Sequence, residues 1–172
     1  ILLEGKEYPL KDISFPTIDP QNPFSLTEDE EDLICKLRHS FVNSEKLRKH
    51  IRCLYAHGGI YLVRNSNLLF HASIPLNADG TFKEVEIRGK KYKGKSLLDK
   101  VDQLIRTAYF DDEDSVDRNY ALDYTWYLWC GEDSPSFDKD KMTTFERYFI
   151  ADKSISKEKK GYYYELRNEE SV

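Results

Sequence analysis

At 172 residues, with 40% hydrophobic and 33% charged side chains, the chain has the length and composition of one globular domain, not of a disordered tail. A net charge of −5 argues against a general nucleic-acid binder, and no apolar run approaches the roughly 18 residues that a membrane span needs. Cys35, Cys53 and Cys130 are odd in number and widely spaced, so they read as reduced, partly buried thiols of a cytoplasmic protein.

The 12 Tyr and 9 Phe are expected to dominate the core. Ile1–Leu10 reads as a strand, a Gly-containing turn and a second short strand. Ser14–Ser25 holds three prolines in FPTIDPQNPF and predicts an extended connector. Thr27-x-x-Glu30 is a capping box, and the acids of Glu28–Asp32 sit at the positive end of the helix dipole. Leu33, Ile34, Leu37 and Phe41 form that helix's apolar stripe. A second helix opens at Ser44, carries Leu47, Ile51, Leu54 and Tyr55 on one face, and ends at Gly58-Gly59. Its other side holds Arg48, Lys49 and Arg52, an ordinary solvated face or an anion-attracting one. His39, His50 and His57 lack the i, i+4 spacing of paired metal ligands on a helix.

Ile60–Val63 and Leu68–Phe70 flank Asn65-Ser66-Asn67 and predict a β-hairpin. The second run ends on His71, followed by the small residues Ala72 and Ser73. An imidazole at the end of a buried strand can point into a cleft and bind a metal or a phosphate, although a hydrogen-bonded structural role is the commoner one. Gly89-Lys-Lys-Tyr-Lys-Gly94-Lys95-Ser96 satisfies the pattern of a phosphate-binding P-loop. The strand before it, FKEVEI, is half charged where a P-loop needs a buried apolar strand. The segment therefore predicts a turn, with Ser96 capping a helix over Leu97–Tyr109.

Asp111–Asp117 reads as an acidic loop, and YALDYTWYLWC (Tyr120–Cys130) as an aromatic helix buried on a large surface and closed by Gly131. Thr143-x-x-Glu146 is a second capping box. Lys141 and Arg147 bracket the start of that helix, where a phosphate can bind, unless they are plain surface charge. The remainder, SKEKKGYYYELRNEESV, looks peripheral, with an acidic tail.

Taken together these segments resemble the class 3 fructose-1,6-bisphosphatases of bacteria. The likeness is carried by FPTIDPQNPFSLTEDEEDLICKLRHSFVNSEKLRKHIRCLY, GGIYLVRNSNLLFHASIPLNADGTFKEVEI, LDYTWYLWCG and KDKMTTFERYFIADKSISKEKK. That family looks like metallo-dependent phosphatases, whose D-x-H, G-D-x-x-D-R-G and G-N-H-D motifs lie upstream, with a G-H motif downstream. None of these occurs here, so the chain reads as an internal piece of a longer enzyme.

The resemblance implies an α+β segment of a metallophosphatase-type αββα sandwich. Residues 1–57 would be a strand, a connector and a family-specific helical insert, and residues 58–172 the second half of the catalytic domain. It implies a phosphoric monoester hydrolase that removes the 1-phosphate of fructose 1,6-bisphosphate in gluconeogenesis with a divalent pair, manganese by expectation. LLFHASIP falls where such enzymes carry a strand-end metal-ligating histidine before two glycines, so His71 is the metal candidate and Ala72-Ser73 a departure. Lys141 and Arg147 are the substrate-phosphate candidates. The alternative class is a non-catalytic regulatory or anion-binding module of a larger enzyme, built on the basic helix around Arg48 and Arg52.

Overall fold

The computed structural model describes residues 1–3, 5–112 and 114–167; the acidic tail beyond Arg167 lies outside the described residues. It is an α+β chain of helices and short antiparallel ladders, in two compact units.

The first unit comprises Ile1–His57 together with Phe149–Ala151. β1 (Leu2–Leu3) and β2 (Lys6–Glu7) pair antiparallel around Gly5, whose φ of 77° is the left-handed geometry a glycine tolerates. Leu10 bridges Ile150, the Lys11 amide donates to the Phe149 carbonyl at 2.7 Å, and the Phe15 and Phe149 rings lie 5.6 Å apart. The proline-rich segment that follows consists of turns. α1 (Glu28–Val42) starts at the expected capping box. The Glu30 amide donates to Thr27 Oγ1 at 3.3 Å, and Glu30 Oε2 accepts from the Thr27 amide at 2.8 Å.

The apolar stripe does not find a core. Leu33, Ile34, Leu37 and Phe41 are all exposed, and α1 buries no residue. Caps and dipole act within one turn and fix the helix locally, whereas burial needs a second surface, which this unit does not supply. In α2 (Glu45–His57) Leu47, Ile51 and Tyr55 are half-buried and Leu54 is exposed. Cys35 and Cys53 are exposed, against the expectation of partly buried thiols; Cys130 is half-buried.

The second unit comprises Gly58–Tyr148 and the segment from Asp152 onward. β3 (Tyr61–Arg64) and β4 (Asn67–Phe70) form the hairpin, with Asn65 and Ser66 at φ 50° and 62°. That is a two-residue turn of the type whose twist suits a hairpin, and Asn67 belongs to the ladder, opposite Arg64. β5 (Val85–Ile87) and β6 (Lys90–Tyr92) make a second hairpin of the same kind, turning on Arg88 and Gly89 at φ 51° and 73°. The sequence reading saw only the first of these two strands.

α3 (Gly94–Phe110) and α4 (Val116–Cys130) build the core. Leu97, Val101, Leu104 and Ala108 pack with Ala121, Tyr124, Leu128 and the buried Ile87 of β5. This core is therefore largely aliphatic, with Tyr124 its one buried aromatic among the described residues, contrary to the expectation from composition. Hydroxyl-bearing rings prefer sites where the oxygen reaches a partner or water, and Leu, Val and Ala fill a close helix pair without polar atoms. α4 begins four residues earlier than predicted, because Ser115 accepts from the Arg118 amide and caps it inside the acidic loop. Only one face of α4 is buried; Trp126 and Trp129 point outward. Two short helices follow, α5 (Thr144–Phe149) and α6 (Tyr162–Leu166), the latter unforeseen.

The P-loop pattern resolves into a turn and a helix start, but α3 begins at Gly94, three residues before the expected Leu97, with Lys93 and not Ser96 at its N-cap. The Lys93 amide donates to Ser96 Oγ at 3.1 Å, and Lys95 Nζ pairs with Asp99 at 2.6 Å. Lys95→Ala in the full-length protein is expected to leave both activity and melting temperature essentially unchanged, because the Lys95–Asp99 pair is exposed to water. ATP binding that disappears with this substitution, measured by calorimetry, would overturn that reading.

Candidate active-site segment

The hairpin that delivers His71 is held mainly at its ends, where Ile60 packs against the core, and not along its apolar strands. Leu62, Val63, Leu68 and Leu69 are exposed. The Ile60 amide donates to Asp102 Oδ1 at 3.2 Å and the Tyr61 hydroxyl to Asp99 Oδ1 at 2.7 Å, while Arg106 binds both Asp102 (2.6 Å) and the Gly58 carbonyl (2.9 Å). These tie the start of β3 to one side of α3. At the far end the half-buried Phe70 ring meets Tyr163 edge-on at 5.7 Å.

His71 follows β4 directly, in a bend, and is exposed. Ala72 takes φ 65°, the left-handed conformation natural to glycine, so the chain keeps a glycine-like turn after the histidine despite its alanine. Ser73 is wholly buried; its amide donates to the carbonyls of His71 (3.0 Å) and Pro135 (3.1 Å), and its hydroxyl donates to Asp138 Oδ2. Sequence reading missed Asp138, for no spacing links it to His71. Burial pushes the Asp138 carboxyl above its ordinary range, and the Ser73 hydroxyl partly offsets this.

Lys141 and Arg147 do not form a free anion trap at a helix start. α5 is a single short helix, and Thr143 does not cap it as a box with Glu146. The Thr143 hydroxyl lies within hydrogen-bond reach of the Ser156 carbonyl (3.1 Å) and Glu158 Oε1 (2.9 Å) instead. Glu158 is the hub of this cluster. It accepts from Lys139 at 2.7 Å, from the Thr143 amide at 3.1 Å and from Arg147 Nη2 at 3.0 Å. Burial works against its charge, but the hydrogen bonds from Lys139 and Thr143 win and hold its carboxyl at about 2. Arg147 is thus paired, with most of its guanidinium still open to solvent, and Lys141 is exposed beyond the cluster.

Between the Asp138 and Glu158 clusters lies a cavity of about 80 Å³, lined by four lysines (Lys83, Lys139, Lys159, Lys160) and four acids (Glu132, Asp133, Asp138, Asp140). Its lining charges balance, so it offers no net attraction to an anion. Among the described residues no three His, Cys, Asp or Glu side chains converge on one point. The chemistry of His71 suits one ligand of a divalent metal, and among the described residues no group of three such side chains includes it. Among them, no helix is long and apolar enough to cross a membrane.

A family profile described as Firmicute fructose-1,6-bisphosphatase matches residues 1–172, and the chain belongs to that family. It is 68% identical over 169 residues to a protein of Bacteroides fragilis named fructose-1,6-bisphosphatase class 3, which covers 98% of this chain and 26% of that protein. Proteins of the same name from Bacteroides thetaiotaomicron and Clostridium acetobutylicum are 64% and 56% identical, over 98% and 100% of this chain and again 26% of their own length. The chain thus spans about a quarter of the length of the curated relatives it matches. No solved structure matches it.

Proposed function

We propose that this chain is a segment of a fructose-1,6-bisphosphatase that hydrolyses the 1-phosphate of fructose 1,6-bisphosphate, in the cytoplasm and in gluconeogenesis. The observation that carries the reading is the family match over every residue, at 68% identity to a relative bearing that name. In this reading the second unit, from Gly58, is part of the αββα metallophosphatase sandwich and residues 1–57 are the helical insert. A bound divalent pair, manganese by expectation, supplies an activated water and neutralises phosphoryl charge. His71 offers one neutral imidazole to that pair from an exposed turn, and the other ligands come from outside this chain. Lys141 and Arg147 offer charge-assisted hydrogen bonds to phosphoryl oxygens. Glu158 uses one of the five Arg147 donors and orients the rest.

The test is phosphate release from fructose 1,6-bisphosphate, with and without manganese, by the full-length protein and by the 172-residue chain. The full-length protein is expected to turn over only with metal, and the chain alone not at all, because one imidazole cannot hold two metals. Release by the isolated chain would overturn this placement of the site. A full-length protein inactive on this substrate would overturn the function.

A further inference from the structure

The pair formed by Ser73 and Asp138 stands out on energetic grounds. Ser73 is 0% exposed and Asp138 3%, and the aspartate's side-chain hydrogen bond goes to a neutral hydroxyl. Burying a carboxylate against a neutral partner is unfavourable, so this pair is a poor device for stability alone. Both ends of the contact also sit on constrained backbone. Ala72, before Ser73, has φ 65°, and Asp138 itself has φ 46°. Left-handed backbone at non-glycine residues tends to cluster at functional sites.

The surroundings hold Asp138 rigidly. Ser134 Oγ donates to the Leu128 carbonyl at 2.7 Å, fixing the loop to the end of α4. Asp133 pairs with Lys83 at 2.7 Å, and the Gly161 amide donates to the Asp138 carbonyl at 2.9 Å. A Cβ at Gly161 would overlap the Asp138 carboxylate, so the glycine leaves room for it. On the other side, the doubly accepted Ser73 amide closes the chain back onto His71 and Pro135. Further along the chain the Lys83 amide donates to the Pro75 carbonyl at 3.0 Å, so the Ser73 contacts are the ones nearest the His71 turn on its C-terminal side, and the imidazole itself is exposed.

We propose that Asp138 is a positioning residue for His71: through Ser73 it latches the turn that presents the imidazole. This rests on the reading of His71 as a metal ligand. What the latch requires of Asp138 is a fixed acceptor. Asn keeps the acceptor and tolerates the left-handed backbone, whereas Gly keeps the backbone and removes the acceptor.

The test uses the full-length protein, with Mn²⁺ alone as probe and its affinity followed by the electron paramagnetic resonance of the free ion. Ser73→Ala and Asp138→Gly are expected to weaken one Mn²⁺ site by about 10–100-fold, the effect typical of an outer-shell partner, and Asp138→Asn to stay within about threefold of the parent. In a His71→Ala background, where that site is already lost, Ser73→Ala is expected to have no further effect on Mn²⁺ binding. Unchanged Mn²⁺ affinity in Ser73→Ala beside a loss in His71→Ala overturns the latch and leaves the ligand reading standing. Unchanged affinity in His71→Ala overturns both. A lowered melting temperature in Ser73→Ala with intact Mn²⁺ binding makes the pair structural and also overturns the latch.

Discussion

His71→Ala in the full-length protein is expected to abolish manganese-dependent phosphate release while barely changing its melting temperature. The imidazole is exposed, it follows a strand whose fastening lies elsewhere, and among the described residues it has no hydrogen-bond partner. Its removal opens no cavity and orphans no buried group, so the stability cost should be about 0.5 kcal/mol, as for surface substitutions generally. The effect on metal is of another order. An outer-shell partner is typically worth about 10–100-fold in affinity or activity, and a direct ligand should cost at least as much. Because the loss acts through binding, excess manganese should restore part of the rate by mass action. Activity measured against manganese concentration, with melting followed in parallel, decides the matter. Near-normal turnover at low manganese would make His71 a plain surface residue.

What was legible in the sequence follows from how local each signal is. The Thr27 cap and the Asn65-Ser66 turn are each decided within four residues and appear where they were read, with Asn67 passing from the turn into the ladder. The helix read from Leu97 starts instead at Gly94 and places Ser96 inside its first turn. Burial depends on what faces an element, and there the reading failed in both directions. The stripe of α1 and the strands of the His71 hairpin are apolar yet exposed, while Ser73, Ser134, Asp138 and Thr143 are polar yet buried. The candidate site divides the same way. His71 stood out as a residue type at a strand end. Asp138 and Glu158 did not, because the contacts that give them meaning join residues 65 and 11–19 positions apart. The second capping box illustrates the cost: Thr143-x-x-Glu146 has the right letters, but a distant carboxylate holds the threonine.

Glu158→Ala should be the most damaging single change to the cluster that carries Arg147. Its carboxylate has a side-chain exposure of only 12%, and it satisfies Lys139, Arg147 and the amide of the buried Thr143 at once. Lys139 and Arg147 are exposed enough to turn to water, so their loss of a partner is cheap. The Thr143 amide loses its acceptor, a cost of about 1–3 kcal/mol, and the hydroxyl keeps only the Ser156 carbonyl. A total near 3 kcal/mol is expected, with Glu158→Gln losing less because its amide oxygen still accepts from Thr143. The pH dependence has a definite sign. The folded carboxyl titrates at about 2, below the 4.5 of an unperturbed glutamate, so the unfolded chain binds the extra proton first. The stabilisation is therefore complete above pH 4.5 and lost as the pH falls toward about 2. Amide exchange over Thr143–Tyr148 in the full-length protein reads this locally. The parent should protect these amides better than Glu158→Gln at pH 7, and the difference should close as the pH approaches 2.5, a value inside the window about 2 to 4.5. A gap between parent and variant that stays constant down to that pH would show that the charge on Glu158 does not hold Arg147 and Thr143 in place.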